Sequence, residues 1–447
     1  MASPDQTREL RSDYIPKESY ISPAYARREK DRMWPRVWQV ACRSEDLPNP
    51  HEYVVYDILD ESVIVSRSAD GALRAFHNVC QHRGRRLLNG RGKASSIRCK
   101  FHGWTWKSDG TLVKVVDRDD WEGCPGMTDG DLALKPVAVD EWGGFVFVNL
   151  DTDAIPLSEY LSPATELLSR FEFETMRIRW AKTVRVGCNW KVALDAFSEG
   201  YHVQGTHPQL LDIGGDDRTR SFAMGDHTMF DYGDATRPIG APSPRTGKAM
   251  PKDLRPGLAR FHREMEDTLK ALFSPRSVAV AEHLTETIPT NLEANEVMEK
   301  MIDLQKEAAL GDGAGWPDIT PEDMASAGAD WHIFPNLAFL FNPDAMLAYR
   351  ARPDGDNPDS CIFDIWSLVR FAPGEEPDVD VDYIPEENSW KIDTEERLGL
   401  ILAQDFSNME DVQRGMKSSG FDVARTNPRS EIGVSHIQQV LDRYVRS

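Results

Sequence analysis

Cys80-Gln81-His82 is followed, after sixteen residues, by Cys99-Lys100-Phe101-His102. Two thiols and two imidazoles make a four-ligand set, and each pair stands close enough in sequence for both side chains to reach one centre. A structural zinc site uses the same residue types, but it usually groups Cys with Cys and His with His. Here each pair offers one of each. That division suits a two-iron cluster in which one iron keeps both thiolates and the other takes both imidazoles. Gly84 and Gly103 follow the two pairs, and small residues let the backbone approach the sulfides and donate N–H bonds to them. The chemistry of such a cluster is one-electron transfer, and His82 and His102 are expected at the surface, where an electron can enter or leave.

A second set of candidates lies in residues 189–208. Glu199 and His202 are three apart and share a helix face. His202 and His207 are five apart, which places them roughly 140° apart on an ideal helix. They meet at one metal only if the helix ends or distorts between them, and Gly205 and Pro208 supply that break. Two histidines and one carboxylate would leave open positions on Fe(II) for dioxygen and substrate. Taken alone, two histidines at this spacing read more often as structural or surface residues than as ligands.

These residues need elements to hold them. Residues 1–37 form a polar arm with a short helix at 22–34. From 38 to 150 the chain reads as short strands, among them 53–58, 62–68, 73–77 and 144–150, broken by Gly, Asn and Asp turns. After Thr152 the pattern changes. Helical periodicity covers 155–171 and 191–202, with a strand at 180–187 between them. Residues 210–250 read as irregular. Amphipathic helices follow at 256–273 and 292–310, then strands at 337–341, 346–351 and 361–371, then helices at 395–416 and 431–444. Strands and helices mix without a βαβ rhythm, which predicts an α+β fold whose antiparallel sheet is covered by helices.

With both motifs present, the chain resembles the alpha subunits of Rieske non-haem iron oxygenases, the ring-hydroxylating dioxygenase family. Residues 38–150 resemble the Rieske domain, and 189–208 resembles the family's mononuclear iron motif. The resemblance implies a [2Fe–2S] cluster on Cys80, His82, Cys99 and His102, and a mononuclear Fe(II) on His202, His207 and a distant Asp. Within 404–411, Asp405, three before Asn408, matches that third position, whereas Glu410 and Asp411 are expected as exposed acids at a helix start. The implied architecture is a small all-β Rieske domain (38–150) beside a helix-grip, START-like catalytic domain with an antiparallel sheet (151–447), the arm packing on the latter. It also implies a homotrimer in which the cluster of one subunit faces the iron of the next. An acid then bridges a cluster His to an iron His. Glu199 stands at that position, where many ring-hydroxylating members carry Asp and other branches, amine-demethylating ones included, carry Glu. Asp195 is a second candidate catalytic acid; a partner for an N–H or a Lys is the equal alternative.

The implied reaction is O2-dependent hydroxylation of an aromatic or other hydrophobic small molecule. The same iron chemistry serves N- or O-demethylation, and the ligand motifs do not separate the two. A non-catalytic Rieske electron carrier is a third reading, against which the second metal set argues. Gly311–Gly315 follows a helix rather than a strand and reads as a loop, not a dinucleotide fingerprint. NAD(P)H is therefore expected to act through a separate reductase, with or without a ferredoxin, and the need for a beta subunit stays open. Phe334, Leu337, Phe339, Phe341 and Met346 are candidates for the pocket wall, with plain core as the competing reading.

Composition excludes several other classes. At 447 residues, 40% apolar and 28% charged, the chain can bury a large core. A net charge of −21 repels nucleic acid. No apolar run is long enough for a bilayer, and the polar N-terminal residues contain no signal-peptide segment, so a cytoplasmic protein is expected. Six cysteines in this length do not make a disulfide scaffold, and the four outside the metal pairs are expected as metal-free thiols, most simply buried.

Overall fold

Seven of the strands before residue 150 form one antiparallel sheet. In a computed structural model, which describes residues 10–384 and 394–446, its order is Gln39–Arg43, Phe145–Asn149, Pro136–Trp142, Leu73–His77, Glu61–Arg67, Glu52–Ile58 and Arg91–Lys93. A second, three-stranded sheet is formed by Ser96–Arg98, Thr105–Lys107 and Leu112–Lys114. Between the two sheets lies a small core containing Ile64, Phe76, Leu87, Ile97, Trp104 and Trp106, and Cys80 and Cys99 belong to it. Trp106 donates its indole N–H to the Leu132 carbonyl at 2.7 Å, so this ring is buried without an orphaned donor.

The later strands make an eight-stranded sheet. Its order is Arg220–Met224, His227–Asp231, Asp330–Ile333, Leu337–Phe341, Ala345–Asp354, Asn357–Val369, Arg177–Val186 and Asp382–Ile384. Seven strands pair antiparallel, whereas the edge strand Asp382–Ile384 runs parallel to Arg177–Val186. Helices Trp190–Asp195, Leu400–Met416 and Ile432–Arg446 cover it. The expected irregular stretch 210–250 in fact supplies two of its strands, Arg220–Met224 and His227–Asp231, joined by the two-residue turn Gly225-Asp226 with Gly225 at φ 66°. The long helix expected at 155–171 is broken into Leu157–Tyr160 and Ala164–Leu168, followed by a 3-10 turn, because Pro163, between the two, cannot continue the hydrogen-bond ladder.

The arm lies on this second unit. Ile15–Pro16 pairs with Val423–Ala424, and the short helices Glu18–Ile21 and Pro23–Arg28 lead into a π turn at Glu29–Met33. Glu29 and Lys191 form a buried ion pair, and Tyr25 donates its hydroxyl to Asp442 at 2.6 Å. The two sheets are tied by Arg350. Its guanidinium donates to the carbonyls of Val40 at 2.6 Å and Ala41 at 2.9 Å while pairing with Asp364. The two arginines Arg350 and Arg352 pull the buried Asp364 carboxyl well below its ordinary range against the effect of burial. No helix of the described residues is long and apolar enough to cross a membrane.

Candidate metal centres and the cavity beside them

The two Cys/His loops share one backbone geometry. Cys80 N–H donates to the Arg85 carbonyl at 2.8 Å and Gly84 N–H returns to the Cys80 carbonyl at 3.0 Å. In the other loop Cys99 N–H donates to Trp104 at 2.8 Å and Gly103 N–H to Cys99 at 3.0 Å. Gly84 and Gly103 both take left-handed φ values, 71° and 74°, where a Cβ is disfavoured. Each sulfur then receives backbone N–H groups from the residues two and three further on: His82 and Arg83 for Cys80, Phe101 and His102 for Cys99. Those donors favour thiolate, and for Cys99 they overcome burial and lower its pKa. The two thiols lie within hydrogen-bond reach of each other. The rings of His82 and His102 are 4.7 Å apart, and His82 Nδ1 is buried without a hydrogen-bond partner. An orphaned nitrogen, two thiols turned inward and N–H groups aimed at both sulfurs fit a sulfide-bridged two-iron cluster. His82, Phe101, His102 and Trp121 line an open depression, with Phe101 58% exposed, so the imidazole side faces outward. Cys124 lines the same depression and is exposed. The expectation of a buried thiol is corrected there, since it follows the short surface turn Arg118–Trp121; Cys42, Cys188 and Cys361 are buried.

The second set is drawn together by a helix that stops early. The helix expected at 191–202 runs only over Trp190–Asp195, capped by the Asn189 side chain accepting from Lys191 N–H at 3.1 Å. The chain then turns, and a single further turn, Val203–Thr206, separates His202 from His207. Asp405 comes from helix Leu400–Met416, held on the sheet by Phe406, whose ring meets Phe363 at 5.4 Å. This helix begins at Gly399, φ 84°, so Glu410 and Asp411 stand mid-helix beside Arg414 rather than at a helix start; the dipole argument for them does not apply.

His202, His207 and Asp405 each offer a ligand atom, all within 4.8 Å of one another. Asp405 Oδ1 lies 2.9 Å from His207 Nε2 and 3.6 Å from His202 Nε2. The other ring nitrogens are held from behind. His202 Nδ1 is 2.7 Å from Glu199 Oε1 and His207 Nδ1 is 2.8 Å from Gln404 Oε1. Both acceptors fix the tautomer that leaves Nε2 free for a metal. Glu199 is fixed in turn: its Oε2 accepts the backbone N–H groups of Tyr201 and, at 3.1 Å, His202. Burial disfavours a charged His202, but the bond and charge of Glu199 outweigh it and raise its pKa. Two imidazoles and one carboxylate on one side, with space on the other, fit a mononuclear iron. Gln404 is the functional residue that sequence reasoning missed; its adjacency to Asp405 was the only available signal.

Asp195 is not part of this cluster. Its carboxylate accepts the Tyr20 hydroxyl at 2.7 Å, and burial raises its pKa to about 7 despite Tyr20 and Lys191. It joins the arm to the helix ahead of the iron ligands.

A cavity of about 440 Å³ opens on His202, His207 and Asp405. Its wall is mainly apolar and aromatic, with Phe197, Phe230, Phe261, Phe341, Leu347 and Tyr349 among the lining residues. Of the five pocket candidates read from the sequence only Phe341 lines it. Phe334, Leu337, Phe339 and Met346 are buried core. For Leu337, Phe339 and Met346 the cause is strand parity, whereas Phe341 stands at the end of its strand. Phe339 faces Trp142 at 6.5 Å and Phe173 at 5.9 Å, on the far side of the sheet. Leu340 and Leu347, paired across neighbouring strands, face the cavity.

Comparisons with known proteins agree with this geometry. A family model for the ring hydroxylating alpha subunit (catalytic domain) matches residues 173–447, and a model for the Rieske [2Fe-2S] domain matches residues 37–123. The carnitine monooxygenase oxygenase subunit of Acinetobacter baumannii is 32% identical over 201 residues, 44% of this chain and 53% of that protein. The glycine betaine monooxygenase oxygenase subunit of Chromohalobacter salexigens is 32% identical over 216 residues, 47% of each. The aligned region thus spans about half the length of these curated relatives. Among solved structures, a quaternary ammonium Rieske monooxygenase in complex with L-carnitine superposes with a TM-score of 0.63 at 19% identity, over 97% of this chain and 95% of that one. Naphthalene 1,2-dioxygenase with bound indole gives 0.63 at 19%, over 97% and 92%. At such identities the likeness speaks for the fold.

Proposed function

We propose, on the premise that the chain belongs to the ring hydroxylating alpha subunit family and carries its Rieske domain, that it is an oxygenase which inserts oxygen from O2 into a small molecule held beside a mononuclear iron. The cofactors of this family are a Rieske [2Fe–2S] cluster and that iron, and the residues described above fit both. The observation that carries the reading is the convergence of His202, His207 and Asp405 within ligand distance at the edge of a largely apolar cavity.

When bound, the cluster supplies electrons singly and the iron supplies the dioxygen chemistry. The chain's own residues do the rest. Glu199 and Gln404 hold the two imidazoles with Nε2 inward. Glu199 also offers a route for electrons into His202, its carboxylate standing between that ring and the surface turn at Tyr201, which is 47% exposed. The aromatic wall keeps water from the reacting carbon and orients the substrate. For monooxygenation the balance is one C–H bond converted to C–OH, the second oxygen atom leaving as water, with two electrons and two protons consumed.

Those electrons come from outside the chain, so a reductase, with or without a ferredoxin, is the proposed partner. A second copy of this chain, its His82/His102 face set against Glu199, is the proposed route between centres in a homotrimer. The division into an arm (1–37), a Rieske unit (38–150) and a catalytic unit (151–447), and cytoplasmic residence, belong to the same reading.

Oxidation of an N-methyl group is the favoured reaction, supported by the relatives' names and by Glu at position 199. Hydroxylation of an aromatic ring is the second reading, supported by the phenylalanine-rich wall. The test is turnover of the metal-loaded chain with a surrogate reductase, NADH and 18O2. Formaldehyde released from methylated amines supports the first reading, and labelled diols or phenols from arenes support the second. Consumption of NADH without label in any product contradicts both and returns the electron-carrier reading.

A further inference from the structure

Asp330 is 1% exposed, and its Oδ2 has no hydrogen-bond partner. It stands on strand Asp330–Ile333, paired directly with Phe230 on one side and Leu340 on the other. Residues opposite one another on neighbouring strands point to the same face of a sheet. Phe230 and Leu340 both line the iron cavity, so the Asp330 side chain is on the cavity side of the sheet, buried behind the lining residues. It is close to the cavity residues Tyr232 and Tyr349: after burial, its charge is the next cause raising Tyr232 to about 12, and it follows Asp405 in raising Tyr349.

A lone carboxylate in an apolar wall is costly unless something pairs it. Among the described residues nothing does. The one arginine lining this cavity among the described residues, Arg237, spends its guanidinium on the carbonyls of Pro242 and Lys248, each at 2.8 Å. The carboxylates that line the cavity are used. Asp216 accepts from Thr236 and Asp217 from Arg245, while Glu199 holds His202.

The geometry points to Asp330, with the faces of Phe230, Tyr232 and Tyr349, as a recognition site for a permanently cationic group, a trimethylammonium rather than an N–H donor. A quaternary nitrogen cannot hydrogen-bond, so it needs a nearby negative charge and aromatic faces rather than directed acceptors. Burial and the charge of Glu199 raise the Asp330 pKa well above the ordinary carboxyl range, and a cation placed beside it would favour the ionised form. This inference rests on the reading that the cavity holds the substrate of the iron site.

The test is anaerobic titration calorimetry of the iron-loaded, cluster-bearing chain with choline and with its uncharged isostere 3,3-dimethylbutan-1-ol. Choline is expected to bind at least about tenfold tighter, the size of a desolvated cation–π and charge contact. Asp330→Asn is expected to bring the two ligands within about twofold of each other, by loss of choline affinity alone. Asp330→Leu, which removes the buried polar group altogether, should give the same result and serves if the Asn protein does not fold. Equal or weaker affinity of the unaltered chain for choline, absence of binding included, overturns the inference, as does a preference that survives both substitutions. No turnover enters this measurement, so its failure leaves the 18O2 test of the oxygenase reading untouched.

Discussion

Glu199 Oε1 lies 2.7 Å from His202 Nδ1, while its Oε2 accepts the backbone N–H of His202 at 3.1 Å. One carboxylate thus fixes both the ring and the turn of an iron ligand. If it also carries electrons into that ring, Glu199→Gln, which keeps the shape and removes the charge, should slow product formation by about 10–100-fold while iron content and the visible spectrum of the cluster stay unchanged. Stopped-flow oxidation of the reduced cluster by O2 reads this directly; oxidation at the unaltered rate contradicts the role.

His207 depends on Gln404 in the same manner, through a 2.8 Å contact to Nδ1. Replacing Gln404 by Leu leaves the ring without an acceptor. Fe(II) affinity should weaken by about 10–100-fold, measured by competition with a chelator. His207→Ala should empty the site altogether and leave the cluster's spectrum intact.

Gly399 opens the helix that carries Asp405. A Cβ there would meet the Thr268 carbonyl oxygen at 2.0 Å, and the backbone is left-handed at φ 84°. Gly399→Ala should therefore shift the start of the helix and displace Asp405, reducing iron occupancy without touching the sulfide content. Full iron occupancy would show that the helix is anchored by Phe406 alone.

Asp195 gives a pH dependence whose sign follows from its burial. Its pKa is about 7 in the folded chain against the ordinary aspartate value of 3.8, so the folded state binds more protons across that window. Its contribution is fully present below the lower value and is lost as pH rises through about 7. Asp195→Asn should thus melt higher than the unaltered chain above pH 7, and the difference should shrink as pH falls toward 4. Thermal melts of the metal-loaded proteins across that range check it; a difference independent of pH contradicts the assignment.

The cluster ligands were legible because their geometry is local. Spacing within each loop, and the glycine four residues after each cysteine, encode the turn without reference to the rest of the chain. His202 and His207 were legible as a pair through Gly205 and Pro208. Asp405 was not, because nothing local marks it; it came from resemblance, and its approach to His207 depends on a helix almost two hundred residues away packing on a sheet. The pocket wall failed for a different reason. In buried strands both faces are apolar, so Phe339 and Leu340 look alike until cross-strand pairing assigns each to a side. Asp330 was invisible for the opposite cause, since a single acid at a strand start reads as an exposed turn residue.

The central claim is that one chain carries both a Rieske cluster and a mononuclear iron. Its most direct test is the iron, zinc and acid-labile sulfide content of anaerobically purified protein, with an EPR spectrum after reduction. The account predicts about three irons and about two sulfides per chain with a Rieske signal, falling to about two irons in His207→Ala with the signal unchanged. Zinc without sulfide would contradict it at the first centre, and with it the redox chemistry assigned to the second.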